Sequence, residues 1–217
     1  DKGYDSHTYE KVGQWFEEHR EEMAEDIALM AAVQPSDDSY FGTSVFNHAK
    51  HRILWLLFLM LSATITGTII SRYEETISAI PLLVSFIPML MDTGGNCGTQ
   101  SSTLVIRGIA TDEIRFSDLF KVAFKESRIA LIVGAALAVV NGLRIIVMYQ
   151  DPRLAILLGI SLMCTVFLAE LIGCLLPLLA KKVHLDPAIM AAPLITTIVD
   201  TCSIIIYFAI ATHLFAL

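Results

Sequence analysis

The sequence predicts an all-α integral membrane protein with five spanning helices, and three observations carry that prediction. Mean hydropathy is +0.64 over 217 residues, and 55% of the residues are hydrophobic, too apolar for an ordinary soluble domain of this size. A spanning helix needs about 20 largely apolar residues, and five segments supply them: roughly Ile53–Ser71, Ile77–Ile106 with an interruption, Ile129–Tyr149, Leu154–Ala180 and Ala188–Leu217. Charge is also partitioned. Residues 1–52 hold 11 of the 22 acidic side chains but only 5 of the 15 basic ones, and the rest of the chain is close to neutral. The chain therefore divides into an acidic, water-exposed connecting region over 1–42 and a membrane region over 43–217. The acidic balance excludes nucleic acid and anionic lipid as natural partners of the first region and suits metal cations.

The segment Thr8–Val33 reads as one soluble helix. Val12, Trp15, Phe16, Met23, Ile27 and Met30 recur at near-helical spacing among Glu17, Glu18, Glu21, Glu22, Glu25 and Asp26. Pro35 within Gln34–Asp38 ends it, and a second helix starts at Thr43 or Ser44 and runs into the first span. No signal peptide pattern precedes that span, and the chain opens at Asp1 in a charged stretch, so it reads as a piece of a longer protein. Between the second and third spans, Thr111–Lys125 mixes charges with Ile114, Phe116, Leu119, Phe120 and Phe124, the pattern of an interfacial amphipathic helix. Nine Lys and Arg residues flank one membrane side (Lys50, Arg52, Arg107, Arg115, Lys121, Lys125, Arg128, Lys181, Lys182), against Arg72, Arg144 and Arg153 on the other. That asymmetry places the N-terminus in the cytoplasm and, after five spans, the C-terminus outside a cell membrane.

Asp200 lies deep in the last span, which has no Lys or Arg to pair with it. A lone charge at membrane depth is costly and marks a functional site by default. Thr196, Asp200, Ser203 and Tyr207 recur every three or four residues, so they share one helix face. The bland alternative is a polar helix–helix contact around a protonated Asp200. The second span contains Asp92-Thr93-Gly94-Gly95-Asn96-Cys97-Gly98-Thr99-Gln100, which predicts a break in the helix, with Pro81 and Pro88 kinking the chain before it. Irregular backbone at that depth would line a cavity and free carbonyls as oxygen ligands. A glycine-mediated helix crossing would explain Gly94, Gly95 and Gly98 but not Asp92, Asn96 or Gln100. Glu170, inside the fourth span, is either a third pore or coupling group or a neutral Glu bonded to a neighbouring helix. Asn141 and Arg144 mark the external interface of the third span.

Cys97, Cys174, Cys164 and Cys202 all lie in apolar segments without CxxC or Cys/His grouping, the pattern of packing residues rather than a zinc site. His184 and His213 lie outside the central stretch. The candidate donors are therefore hard oxygens, which favour Mg²⁺, Ca²⁺ or Mn²⁺. Of these, Mg²⁺ keeps its waters and needs only one or two carboxylates. A single Asp per chain, doubled by two-fold symmetry, would suffice.

Two stretches carry a family resemblance. Residues 87–107, Ile-Pro-Met-Leu-Met-Asp-Thr-Gly-Gly-Asn-Cys-Gly-Thr-Gln-Ser-Ser-Thr-Leu-Val-Ile-Arg, closely resemble the signature of the MgtE family of magnesium channels, and Leu185 to Asp200 resembles the start of that family's last span. The resemblance runs from Glu22 to the C-terminus. It implies a homodimer with five spans per subunit and a pore at the dimer axis. Asp200 would be the pore aspartate holding hydrated Mg²⁺, with the backbone at Gly95 and Thr196 beside it. Asp92 replaces a Gly of some members and would add negative charge. Thr99 and Ala192 replace Asn of some members and alter the polar lining. The expected metal residues are thus Asp200, Asp92, Gly95 and Thr196, and the expected pore lining Asn96, Thr99, Ser203 and Tyr207. Thr8–Val33 would be the connecting or plug helix, with Glu22, Glu25 and Asp26 as regulatory Mg²⁺ positions. Glu126 and Asp186 would be acidic groups at the cytoplasmic ends of the third and fifth spans that help hold the closed state. The family's N domain and paired CBS domains are not expected within this chain.

The resemblance implies a passive Mg²⁺ channel gated by cytoplasmic Mg²⁺, with Mn²⁺ or Co²⁺ as further candidate ions. An ion-coupled secondary transporter is the alternative, and the lack of an obvious inverted repeat weighs against it. No nucleophile–base pair has catalytic spacing, so an enzyme is not expected.

Overall fold

The computed structural model describes Arg20, Ala24, Glu25 and residues 27–31, 41–190 and 192–216. Of the expected acidic helix, Glu25 is described, helical and exposed, whereas Glu22 and Asp26 lie outside the described residues.

All regular structure among the described residues is helical. Helix α1 spans Val45–Arg72. Ser44 starts it, its hydroxyl accepting the Asn47 N–H at 3.3 Å, the side-chain cap that a helix N-terminus favours. Apart from Thr66, none of its side chains is buried. The Thr66 and Thr201 hydroxyls, 2.8 Å apart, tie α1 to α6. The short α2, Glu74–Ala79, and a 3₁₀ turn, Pro81–Phe86, lead into α3, Ile87–Ala110. A second 3₁₀ turn, Phe116–Asp118, opens α4, Leu119–Tyr149. Gln150 adopts a left-handed conformation (φ 54°), and Asp151 caps α5, Pro152–Lys182, by accepting the Arg153 and Leu154 N–H groups. Pro187–Met190 forms a third 3₁₀ turn before α6, Ala192–Phe215.

Four of these stretches are long and apolar enough to cross a membrane: Val45–Arg72, Phe116–Tyr149, Pro152–Lys182 and Pro193–Phe215. The 24 residues of α3 extend about 36 Å at 1.5 Å per residue. Its length would therefore span a bilayer, but its polar residues keep it below the apolarity of the other four. Helix α5 is the centre of the molecule, packing on α3, α4 and α6. α1 is the most peripheral of the long helices.

The expected break at Asp92–Gln100 is corrected by the structure, because α3 runs through it without interruption. Glycine is a poor helix former in isolation, but Gly94, Gly95 and Gly98 are buried where α5 and α6 approach. A Cβ on Gly94 would come within 2.7 Å of the Thr165 methyl and 2.8 Å of a Val199 methyl. One on Gly98 would reach 2.7 Å from an Ile195 methyl. A Cβ on Gly173 of α5 would collide with the Gly98 carbonyl oxygen. Small residues let membrane helices approach backbone to backbone, and that packing holds the glycines helical. Pro81 and Pro88 fall at the starts of the 3₁₀ turn and of α3 rather than in a helix interior, so neither kinks one. Thr111–Lys125 likewise is not a separate helix. Its C-terminal part, from Leu119, forms the first turns of α4.

Candidate functional site

Helix α3 is two-sided. Asp92, Asn96, Gln100, Thr103 and Arg107 are exposed and Thr99 is half-buried. Steps of three and four residues put all six on one face. Gly94, Gly98, Ser101, Ser102 and Val105 form the buried face. A Cβ on Gly95 would lie 3.0 Å from the Thr196 methyl carbon, so Gly95 and Thr196 are in direct apposition across α3 and α6. Asp200, one turn beyond Thr196, is half-buried and interacts electrostatically with Asp92. The structure thus brings Asp92, Gly95, Thr196 and Asp200 into one neighbourhood on an outward-facing side of the chain. Neither carboxylate has a Lys or Arg ion-pair partner among the described residues. No three Asp, Glu, His or Cys side chains among the described residues converge as a metal cluster. A cation at this neighbourhood must draw its other ligands from water, backbone or a further chain.

The stripe on α6 divides at Asp200. Thr196 is half-buried, and its hydroxyl donates to the Pro193 carbonyl at 3.1 Å. Ser203 and Tyr207, expected to line a pore, are instead fully buried inside the subunit. The Ser203 hydroxyl donates to the Val199 carbonyl at 2.7 Å, and the Tyr207 hydroxyl donates to the Leu83 carbonyl at 3.0 Å. The 3₁₀ connector Pro81–Phe86 lies over this end of α6 and takes Tyr207 into the core. Helical spacing placed the four side chains on one face but carried no information about α3 and the connector, which cover Ser203 and Tyr207 respectively.

A second acidic group sits behind this face. Glu126 of α4 and Glu170 of α5 are 6% and 5% exposed. Their carboxyl groups are close enough to interact electrostatically. The Ser101 hydroxyl of α3 lies 2.8 Å from Glu126 Oε2 and 3.1 Å from the Glu170 carbonyl, donating to this pair of acceptors. Three helices therefore meet at one polar junction. Glu170, for which the sequence leaves two roles open, lies buried between helices rather than on the outward polar face. The junction was missed in the sequence, although its signal is there. Val122, Glu126, Ala130 and Gly134 recur every four residues and are all buried, a packing stripe with Glu126 in it. Asp186, by contrast, is exposed and turned back on its own loop, Oδ1 accepting the Ala188 N–H at 2.8 Å.

The remaining sequence candidates are peripheral. Cys97 and Cys174 are buried, Cys164 and Cys202 half-buried, and all four are free thiols. The Cys174 thiol donates to the Leu171 carbonyl. Asn141 accepts from the Arg144 guanidinium at 2.8 Å. His184 and His213 are exposed.

Comparison with known proteins bears on the same region. A family model described as MgtE, divalent cation transporter, matches residues 87–210, which contain both carboxyl groups of the outward face and both of the junction. Three curated relatives are each named magnesium transporter MgtE. Those of Thermus thermophilus and Bacillus subtilis are 34% identical over 192 and 191 residues, and that of Enterococcus faecalis is 31% identical over 192 residues. Each match covers 88% of this chain but 42% of the relative, so the chain spans under half the length of these proteins. With the family model covering more than half of it, the chain belongs to the MgtE family of divalent cation transporters.

Proposed function

We propose that this chain is the pore-forming part of a homodimeric channel that conducts hydrated Mg²⁺ across the cell membrane and is gated by cytoplasmic Mg²⁺. The observation that carries the reading is the placement of Asp92 and Asp200 together on an outward-facing polar side. A polar face of that kind is unfavourable against lipid tails, and a second copy of the chain would cover it. Two-fold symmetry would then set four carboxylates around one axis. Mg²⁺ retains several waters and is held through one or two carboxylates, so this sparse ligand set suits it. The carbonyls of Gly95 and Thr196 need not be freed for this role. A helical carbonyl keeps a second lone pair for a water of the hydrated ion. Asn96 and Thr99 extend the same lining, whereas Ser203 and Tyr207 contribute through the core that supports it.

In this reading α3 is the second of five spans, the N-terminus is cytoplasmic and the C-terminus external. Glu22, Glu25, Asp26, Glu126 and Asp186 are the groups through which cytoplasmic Mg²⁺ favours closure, since facing carboxylates repel until a divalent cation bridges them. Mn²⁺ and Co²⁺ are the other ions to examine. The test is the reversal potential of reconstituted protein under an imposed Mg²⁺ gradient. Reversal at the Mg²⁺ equilibrium potential supports a channel. A reversal that moves with pH at fixed Mg²⁺ overturns it in favour of an ion-coupled carrier.

A further inference from the structure

A cavity of about 270 Å³ lies between the end of α3 and the start of α4. Its lining includes Arg107 and Leu104 of α3, Lys125 and Ile129 of α4, and Glu113 of the loop that joins them. The cavity straddles a boundary in the sequence. Along α4 the charges stop at Arg128 and resume only at Arg144, and along α3 none separates Asp92 from Arg107. Leu104 and Ile129 therefore fall on the apolar side of the boundary, and Arg107, Lys125 and Glu113 on the charged side. In a bilayer that boundary is the depth of the lipid headgroups. The flanks are apolar and open: Leu104 of α3 and Phe124, Leu131 and Ile132 of α4 are all exposed, as side chains against lipid are. Gly95 and Thr196 meet on the α6 side of α3, so this α4 side is a different edge of the helix from the carboxylate neighbourhood.

Arg107, Lys125 and Glu113 are exposed and form no ion pair with a described residue. Glu126 also lines the cavity, but its Oε2 is already engaged by the Ser101 hydroxyl at 2.8 Å. Cations and carboxylates share this one space, so a bare anion and a bare cation would each meet like charge. A ligand that carries both signs meets neither penalty. We infer that the cavity between α3 and α4 is a headgroup site for a membrane phospholipid with a primary amine, phosphatidylethanolamine in its simplest form, with Arg107 and Lys125 on the phosphate and Glu113 on the ammonium. Arg and Lys both donate charge-assisted hydrogen bonds to phosphate oxygens. A primary ammonium has three N–H donors for a carboxylate, whereas the quaternary ammonium of a choline lipid has none. Size agrees as well. A phosphoethanolamine group has eight non-hydrogen atoms, and at roughly 30 Å³ for each water-sized group it needs about 240 Å³. Basic pockets between spanning helices are a recurrent place for phospholipid headgroups, and Glu113 is what makes this one select the amine.

The test is native mass spectrometry of the purified full-length protein in detergent. The protein is titrated with phosphatidylethanolamine, phosphatidylcholine and phosphatidylglycerol of identical acyl chains. The Kd for phosphatidylethanolamine is expected to be several-fold lower than for the other two. Arg107→Gln and Lys125→Gln are each expected to weaken phosphatidylethanolamine several-fold. Glu113→Gln is expected to abolish its preference over phosphatidylglycerol while leaving phosphatidylglycerol no weaker. That preference is a ratio read within one variant, so a general loss of stability does not imitate its disappearance. Lys121→Gln changes a lysine of the same helix that pairs with Asp118 outside the cavity and is expected to bind all three lipids as the parent does. Soluble O-phosphoethanolamine in excess is expected not to displace the lipid. Equal binding of the three lipids overturns the site, and a preference that survives Glu113→Gln overturns the role of that carboxylate. A loss in Lys121→Gln as large as in Lys125→Gln means attraction to a basic surface rather than to a cavity, and overturns the inference. Displacement by O-phosphoethanolamine assigns the cavity to a soluble phosphate ester and overturns a membrane lipid as its ligand.

Discussion

Two pairs of carboxyl groups lie in the membrane region, and the helices treat them in opposite ways. Asp92 and Asp200 sit on the outward side of α3 and α6, one exposed and one half-buried. Glu126 and Glu170 sit behind that side, 6% and 5% exposed, with a hydroxyl from a third helix bonded to them. The difference lies in what surrounds the charge. The inner pair is enclosed by neighbours within one chain, with the Ser101 hydroxyl donating to Glu126 Oε2 at 2.8 Å. The outer pair has no ion-pair partner among the described residues and stays open to water or a cation. Since a charged group at the bilayer centre costs about 2.5–3.5 kcal/mol even on permissive scales, the function proposed above sets an external ion at the unbalanced pair. The enclosed pair marks where helices are joined.

This contrast can be broken or sharpened in order of expected effect. Asp200→Ala is expected to reduce Mg²⁺ flux to that of protein-free liposomes while the protein still elutes as folded. Retained flux would show that the outer pair is not where the ion passes. Asp92→Gly is expected to keep flux but lower the divalent-over-monovalent permeability ratio several-fold, measured from bi-ionic reversal potentials. An unchanged ratio would mean that Asp200 alone determines selectivity. On the inner side, Gly173→Ala forces a Cβ against the Gly98 carbonyl and is expected to cost about 1–3 kcal/mol, read as a lower unfolding midpoint in detergent. Ion selectivity should change with it in the folded fraction, because a displaced α3 moves Asp92 relative to Asp200 on α6. The smallest effect belongs to an acidic group outside both pairs. Asp118 accepts from Lys121 Nζ at 2.9 Å, but that lysine is 83% exposed, and an exposed ion pair of this kind contributes little. Asp118→Asn is therefore expected to leave both flux and unfolding midpoint within experimental error.

Much of this architecture was legible in the sequence because bilayer thickness imposes a length and a composition on each span. The first, third, fourth and fifth apolar segments fall within or largely overlap α1, α4, α5 and α6, with α1 and α4 beginning 8 and 10 residues earlier in flanking polar sequence. Asp200 stood out for the same reason, as a cost with no local compensation. What was not legible depended on contacts between segments. The glycines of α3 predicted a broken helix because local propensity is all a sequence shows. Only their burial against Thr165, Val199 and Ile195 explains why the helix continues. Ser203 and Tyr207 share the face of Asp200, yet α3 packs on Ser203 at Gly94 and the connector Pro81–Phe86 takes Tyr207. Glu126 stood near the start of a span and read as a terminal charge, when its four-residue register with Val122 and Ala130 places it inward.

The close approach of Gly98 to Gly173 has a bearing on tolerance to change. Where two helices meet through backbone, their separation does not depend on the size of a side chain between them. The frame behind Asp92 is therefore set by peptide geometry, which mutation elsewhere does not alter. Core substitutions in α4 or at the outer end of α6 can drift without respacing the charges at the exposed edge. Positions 98 and 173 themselves have no such freedom: any side chain there would act as a shim, tilting the whole charged edge at once.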